Sequence, residues 1–199
     1  MDDAKGKHKR LFDPEALFER KRNFNGYRWC PLCGGMLSQV SLDGRARLAC
    51  LLDSCGFVFY QNPAPAAGVI IHNERGLLLV QRAHPPHVGW WCLPSGYMEW
   101  EESPSQSAKR EALEETGLVV EIDALFDLYS GDDDPRTNAV LALYLARIVG
   151  GTLAPGDDAQ DASFFPLENL PDNIAFAAHR LAIADLRRRL SATDEDAIF

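Results

Sequence analysis

Residues 96–118 read GYMEWEESPSQSAKREALEETGL, and this stretch decides how the rest of the chain is interpreted. Its centre predicts a helix. Ser103 is a suitable N-cap, Pro104 fits the first helical position, and Gln106 completes a capping box. Gly117 is placed to end the helix, because glycine adopts the left-handed conformation that closes a last turn without steric cost.

Three glutamates of this predicted helix carry the chemical signal. Glu111, Glu114 and Glu115 lie at positions i, i+3 and i+4, so a helix of about 3.6 residues per turn brings their carboxylates onto one face. Near a helix C-terminus these charges repel one another and oppose the helix dipole. A hard divalent cation such as Mg2+, which prefers oxygen ligands, would remove the conflict. The alternative is a solvated acidic face without a metal.

The spacing of the glycines and charges around the helix is highly specific. The stretch fits the pattern G-x5-E-x7-R-E-U-x-E-E-x-G-U, where U is a bulky apolar residue, and so resembles the signature of the Nudix hydrolase family. The one departure is Ala112, which is small where isoleucine, leucine or valine is usual. Gly96 is expected in a turn close to the metal site. The matching positions are Gly96, Glu102, Arg110, Glu111, Glu114, Glu115, Gly117 and Leu118.

The resemblance implies both a fold and a reaction. The fold is α/β (α+β), a mixed-sheet α/β/α sandwich that here carries a small N-terminal zinc ribbon. The reaction is hydrolysis, at the pyrophosphate, of a nucleoside diphosphate linked to another moiety. Its products are a nucleoside monophosphate and a phosphorylated partner. The implied cofactor is Mg2+ or Mn2+.

Roles for individual side chains follow from the same resemblance. Glu111, Glu114 and Glu115 would hold one or more Mg2+ ions, which neutralise the diphosphate. Arg110 would orient a carboxylate, and Glu102, which precedes the helix, would fold back onto the cluster. These five residues are the candidate catalytic residues. The resemblance leaves open which carboxylate acts as the general base.

Four of the five cysteines form two pairs near the N-terminus. Cys30 and Cys33 have the spacing C-x2-C, and Cys50 and Cys55 have the spacing C-x4-C. Two short strands around a turn at residues 42–45 are expected between the pairs. Two knuckles joined by a hairpin predict a zinc ribbon, in which four thiolates bind one Zn2+. The alternative is a set of free or redox-active cysteines.

The remaining chain alternates strand and helix signals. A linker is predicted at residues 61–65 because prolines interrupt the pattern there. The apolar runs at 66–71 and 77–80 are separated by a turn signal and predict a hairpin. Cys92 stands alone among apolar residues and is expected in the core. Further strands are predicted at 118–128 and 139–149, and a helix at 175–190 with apolar positions Phe176, Leu181, Ile183 and Leu186.

These signals predict a domain division. They indicate a charged N-terminal tail at 1–25, a zinc ribbon at 26–62, a Nudix hydrolase domain at 63–192 and a C-terminal tail at 193–199. A ribbon of this size cannot bury enough apolar surface to fold alone, so a metal is physically apt there.

Composition excludes several classes of protein. The chain has 199 residues and a net charge of -9, which argues against a dedicated nucleic-acid binder because phosphate backbones would be repelled. No apolar run approaches the roughly 20 residues of a membrane span. Without an export signal, a cytoplasmic location is expected. A second hypothesis, from another class, is a non-catalytic module that uses the ribbon to bind nucleotides, nucleic acid or a protein.

Substrate choice has a weaker signal. The motif Ser-Gln-Pro-Trp-Pro-Phe, which the NADH-cleaving relatives carry downstream, is absent. The layout of ribbon and signature resembles relatives that cleave ADP-ribose or FAD. The expected partner is therefore a small nucleoside diphosphate derivative, and the resemblance leaves a homodimer open. Asp157, Asp158 and Asp161 lie in a region where relatives often place a further acid near the metals.

Overall fold

The computed structural model describes residues 27–135, 137–156 and 158–196, and the chain divides into two compact units between Asn62 and Pro63. The predicted N-terminal tail lies outside the described residues, as do residues 197–199 of the predicted C-terminal tail. Among the described residues, no helix is long and apolar enough to cross a membrane.

The first unit is a small antiparallel sheet between the two cysteine pairs. Strands β1 (Leu37–Leu42) and β2 (Arg45–Cys50) form the predicted hairpin, and β3 (Val58–Phe59) pairs with the other edge of β2. Asp43 and Gly44 have positive φ angles of 51° and 73°. Positive φ at both central residues is typical of the tight Asp-Gly hairpin turn.

The described residues of the second unit form two four-stranded sheets and two α-helices. One sheet has the order β8-β4-β10-β9, with β4 and β10 parallel, and the other has the order β11-β6-β5 with β7 also paired to β6. A short 3-10 helix at Leu167–Asn169 follows β11. The elements are β4 (Ala64–Ile70), β5 (His72–Asn73), β6 (Gly76–Arg82), β7 (Trp91–Cys92), β8 (Ser95–Tyr97), α1 (Pro104–Thr116), β9 (Leu118–Gly131), β10 (Ala139–Gly151), β11 (Ala159–Phe165) and α2 (Ala177–Asp196).

Alternating side chains place the sheets between the two helices. In β6, Leu77 and Leu79 pack in a core cluster with residues of α2, whereas Leu78 packs in a second cluster with residues of α1. Successive strand residues point to opposite faces, so this separation means that each face of the sheet layer is covered by one helix. The predicted mixed α/β/α architecture is therefore confirmed.

Several local predictions are corrected by the tertiary structure. Ala64 and Pro65, assigned to a linker, begin β4, where the pairing with β10 overrides the proline signal. The runs at 66–71 and 77–80 do not form one long hairpin, since β4 and β6 belong to different sheets and only the two-residue β5 pairs back onto β6. In α2, Leu181 is 57% exposed, so it is not a core position.

Candidate active site and metal centre

A cavity of about 530 Å3 in the second unit collects the candidate catalytic residues. Its walls come from β6, β8, α1, α2 and the loops that follow β6 and β9. Four of the five candidates, which are Arg110, Glu111, Glu114 and Glu115, line it directly. The signature therefore lies on a cavity large enough for a small ligand.

The helix that carries these residues forms as its sequence predicts. The Gln106 backbone N–H donates to the Ser103 hydroxyl, and the Ser103 backbone N–H donates to the Gln106 side chain at 2.9 Å, which completes the capping box. Gly117 has a φ of 69° and its N–H donates to the Leu113 carbonyl. Ala112 is fully buried in the core cluster beneath α1, where its small side chain lets the helix approach the sheet.

Arg110 is the centre of the charge network. Its Nε donates to Glu102 Oε1 at 2.5 Å, and its Nη1 donates to Glu111 Oε1 at 2.6 Å and to Glu114 Oε2 at 2.9 Å. Its Nη2 donates to the Tyr97 carbonyl at 3.1 Å. The hydrogen bonds from Arg110 lower the pKa of Glu102 to about 2. Glu102 thus folds back onto the helix and holds the guanidinium among the carboxylates.

Glu111 lies beside the strand that precedes α1. The residue is only 9% exposed, and burial raises the pKa of its carboxyl while the hydrogen bond from Arg110 opposes that shift. Gly96, predicted in a turn, lies instead in β8. A Cβ added at Gly96 would sit 2.4 Å from the Glu111 carboxylate, so any larger residue here would displace that carboxylate from its present position.

Glu115 faces the cavity from a site that is largely enclosed by protein. Its Oε2 accepts the Ser95 N–H at 2.8 Å. Burial raises its pKa to about 8, the Ser95 hydrogen bond opposes this rise, and the charge of Glu111 adds to it. An enclosed carboxylate beside a second one is stabilised by a cation, and all the donor atoms are the hard oxygens that Mg2+ prefers. The residues therefore fit the implied metal.

The three helix carboxylates are not gathered around one point. Arg110 bridges Glu111 and Glu114, whereas Glu115 turns to the backbone of β8. Within the part of the chain that the structure describes, only the four cysteines bring three or more ligand atoms within 4.8 Å of one another.

The cysteine pairs of the first unit converge as their spacing predicts. The Sγ atoms of Cys30 and Cys55 are 3.6 Å apart, and those of Cys33 and Cys50 are 3.5 Å apart. All four are free thiols. Four sulfurs about 2.3 Å from a central zinc have S–S edges of about 3.8 Å. The cluster fits one tetrahedral zinc ion, whereas Cys92 is buried in β7 and takes no part.

Several residues of the cavity wall lie outside the signature. Asp158 lines the cavity and lies 3.3 Å from His84, whereas Asp161 belongs to β11 and does not line it, and Asp157 lies outside the described residues. The helical pattern of α2 gave no indication that His179 would face the cavity. The wall residues that the sequence analysis missed are Arg82, His84, Asp133, Asp134, Phe176 and His179.

The fold and the site together define a hydrolase whose acidic signature helix lines a small-molecule cavity. Comparison of the sequence with known protein families identifies the family. Residues 62–186 match the NUDIX domain. The chain therefore belongs to the Nudix hydrolase family.

Within that family, the chain is similar to members with different names. The chain is 38% identical over 130 residues to an ADP-ribose pyrophosphatase of Methanocaldococcus jannaschii, a match that spans 65% of this chain and 76% of the relative. It is 31% identical to the NAD-capped RNA hydrolase NudC of Vibrio atlanticus over 73% of this chain, and spans only about half (51%) of that relative. A Nudix hydrolase structure from Nitrosomonas europaea is 32% identical, with a TM-score of 0.69 over 79% of this chain and 88% of that one.

Proposed function

We propose that the protein is a Mg2+-dependent pyrophosphohydrolase that cleaves the diphosphate of a nucleoside diphosphate derivative of the ADP-ribose or FAD class. The products are a nucleoside monophosphate and a phosphorylated partner. The observation that carries the proposal is the convergence of the signature carboxylates and Arg110 on one cavity of about 530 Å3.

The signature residues have different roles in the proposed reaction. Glu111, Glu114 and Glu115 would hold Mg2+, which would neutralise the diphosphate and stabilise the charge that develops at phosphorus. Arg110 orients Glu111 and Glu114 through its two short Nη1 contacts. Glu102 keeps Arg110 in place without lining the cavity, and therefore acts as a positioning residue.

Three observations support the substrate class. The relative that is 38% identical over 65% of this chain is named an ADP-ribose pyrophosphatase. The chain is acidic, with a net charge of -9, which favours a substrate whose phosphates arrive together with Mg2+ over one that is attracted by a basic surface. The absence of the Ser-Gln-Pro-Trp-Pro-Phe motif disfavours NADH as the preferred substrate.

The test is a comparison of kcat/KM for ADP-ribose, FAD, NADH and a nucleoside triphosphate with Mg2+ present. We expect ADP-ribose or FAD to exceed the other two by at least tenfold, which is about 1.4 kcal/mol of differential transition-state binding. Glu114→Gln should remove turnover of every substrate, whereas Glu101→Gln, which changes an exposed acid that does not line the cavity, should leave it intact. A tenfold preference for NADH or the triphosphate would contradict the substrate assignment.

We also propose a structural Zn2+ bound by Cys30, Cys33, Cys50 and Cys55. The 3.5 Å and 3.6 Å contacts between sulfurs support it, because thiolates suit zinc and suit Mg2+ poorly. In this proposal residues 26–62 are the zinc ribbon and 63–192 the Nudix domain. The non-catalytic alternative is disfavoured because the acidic positions of the signature are all intact.

A further inference from the structure

His179 is a buried polar residue on the cavity wall that the proposed mechanism does not use. It lies in the first turns of α2, is 5% exposed, and lines the same cavity as the signature carboxylates. Its Nδ1 accepts the backbone N–H of Leu93 at 3.1 Å. A side chain that is 95% buried in this way has its ring orientation determined by that hydrogen bond.

The contact with Leu93 also determines where the imidazole carries its proton. A nitrogen that accepts an N–H cannot itself be protonated, so in the neutral ring the proton is on Nε2. Burial lowers the pKa of His179 to about 4, with a further contribution from the charge of Arg82, so the ring is neutral near pH 7. Among the described residues, the hydrogen bond from Leu93 to Nδ1 is the one that the structure gives the His179 ring.

His179 is surrounded by aromatic rings and by charges of both signs. Burial has the largest effect on its pKa, but the charges of Arg82 and Arg180 also lower it and that of Asp133 raises it. The Phe176 ring lies 5.7 Å from the His179 ring, and the Arg82 guanidinium lies over the same phenyl ring at 4.9 Å from its centroid. Phe176 has a φ of 60°, which is rare for a bulky residue. Such strain persists where the surroundings impose it, commonly at ligand sites. Phe176 therefore holds Arg82 and His179 together on one wall.

We infer that His179 is a substrate-binding residue whose Nε2–H donates to a non-bridging phosphate oxygen of the bound diphosphate. The inference rests on the proposed function and adds to it a residue on α2, outside the signature.

The position of His179 supports a phosphate oxygen as the acceptor. Leu93, which holds His179, lies two residues before Ser95, whose N–H holds Glu115 at 2.8 Å. The same backbone segment thus connects the carboxylate side of the cavity with the His179 side. Arg82 is the neighbouring cation, and a cation beside a neutral N–H donor suits an anionic oxygen better than an apolar base or sugar carbon.

Three substitutions separate the two nitrogens of the ring. His179→Asn keeps an acceptor near Nδ1 for Leu93 but has no donor near Nε2. His179→Gln places an amide donor near Nε2, and His179→Phe removes both functions. His72→Asn is the matched control, because His72 is exposed and does not line this cavity.

The measurement is equilibrium binding, with Mg2+, of an ADP-ribose analogue in which a methylene group replaces the bridging oxygen of the diphosphate, so that nothing is hydrolysed. We expect Kd to rise about tenfold or more in His179→Asn and His179→Phe, and to stay within about threefold in His179→Gln and His72→Asn. Thermal unfolding at pH 7 identifies the variants that are folded. The same penalty is expected with methylene-bridged ADP, which lacks the terminal ribose.

Three other results would overturn the inference, and each points to a different fault in it. Wild-type affinity in folded His179→Asn would refute a role for the Nε2–H, while leaving the proposed function intact. A penalty that disappears with methylene-bridged ADP would refute the phosphate oxygen as acceptor. Failure of the wild-type protein to bind either analogue would contradict the proposed function itself, and the inference with it.

Discussion

The cysteine cluster and the carboxylate cluster are both sets of candidate metal ligands, yet they are organised differently. In the first unit, four sulfur atoms lie within 4.8 Å of one another. In the second unit, Arg110 holds Glu111 and Glu114, and the Ser95 N–H holds Glu115. One set has converged on a point, whereas the other is held by hydrogen bonds to protein groups.

The difference follows from charge. Neutral thiols can approach one another without repulsion, and two knuckles and a hairpin bring them together. Carboxylates that approach so closely repel one another unless a cation neutralises them or one of them is protonated. The protein therefore supplies Arg110 as a resident cation, and a metal that binds there must share the carboxylates with it. The sulfur atoms are thus gathered in one place, whereas the carboxylates are held by protein groups.

The strongest test of this contrast removes two thiols. Cys30→Ser combined with Cys33→Ser should abolish zinc binding and unfold the first unit, because structural zinc provides roughly 10 kcal/mol or more of apparent binding free energy in small domains. Metal analysis of protein purified without added zinc should fall from about one equivalent per chain to none. Cys92→Ala should keep its zinc, since Cys92 lies in β7 outside the cluster. Zinc-free wild-type protein with a folded first unit would contradict the prediction.

The second test separates activity from stability at the carboxylates. Glu115→Gln should lower kcat by roughly a thousandfold, because a metal ligand that stabilises transition-state charge is lost. Metal-free Glu115→Gln should be as stable as the wild type or more stable, since the cost of burying an acid that is ionised in the unfolded chain has been removed. Thermal unfolding in EDTA and turnover with Mg2+ measure the two effects. A large loss of stability in Glu115→Gln would show that this carboxylate is structural.

Lowering the pH should destabilise the two units through the protonation of different groups. Burial lowers the pKa of His179 to about 4, from about 6.5 in the unfolded chain. Burial of the neutral ring therefore contributes fully to the free energy of unfolding above about pH 6.5. This contribution is lost as the pH falls towards 4, and the total loss is about 3 kcal/mol. Glu115, whose pKa burial raises to about 8, contributes stability of the opposite sign over this range, but equally in both proteins. Urea unfolding of the second unit between pH 7 and 4.5 should therefore show stability falling more with acid in the wild type than in His179→Asn.

Zinc release from the first unit is the internal comparison in that experiment. Protonation of thiolates also expels zinc at low pH, and this step should be the same in both proteins because His179 is not a zinc ligand. An identical pH slope for unfolding of the second unit in wild type and His179→Asn would contradict the role given to His179.

The smallest expected effect concerns the positioning of Arg110. Glu102→Gln removes its charged partner, so kcat should fall by about tenfold as Arg110 loses its orientation, with little change in KM. Glu121→Gln is the matched control, because it breaks an exposed ion pair between β9 and Arg147 of β10, and neither residue lines the cavity. Equal activity of the two variants would show that Glu102 does not position Arg110.

Local sequence signals predicted the elements that depend on near neighbours. The capping box at Ser103 and Gln106 and the C-terminal Gly117 were readable because each is completed within one turn of helix. The Asp43-Gly44 hairpin was readable for the same reason. The prediction of strand pairing was wrong, because β4 and β6 are separated by a turn signal and yet belong to different sheets.

The candidate site divides in the same way. The spacing of the signature by itself determined the family and the acidic face of α1, and the spacing of the cysteines determined their two pairs. These features depend on intervals along a helix or a short hairpin. Only the tertiary structure decided that Gly96 makes room for Glu111, that Ser95 holds Glu115, and that His179 reaches Leu93, which lies 86 residues away in sequence. Contacts between distant segments depend on how whole sheets and helices pack, and no local pattern of residues encodes them.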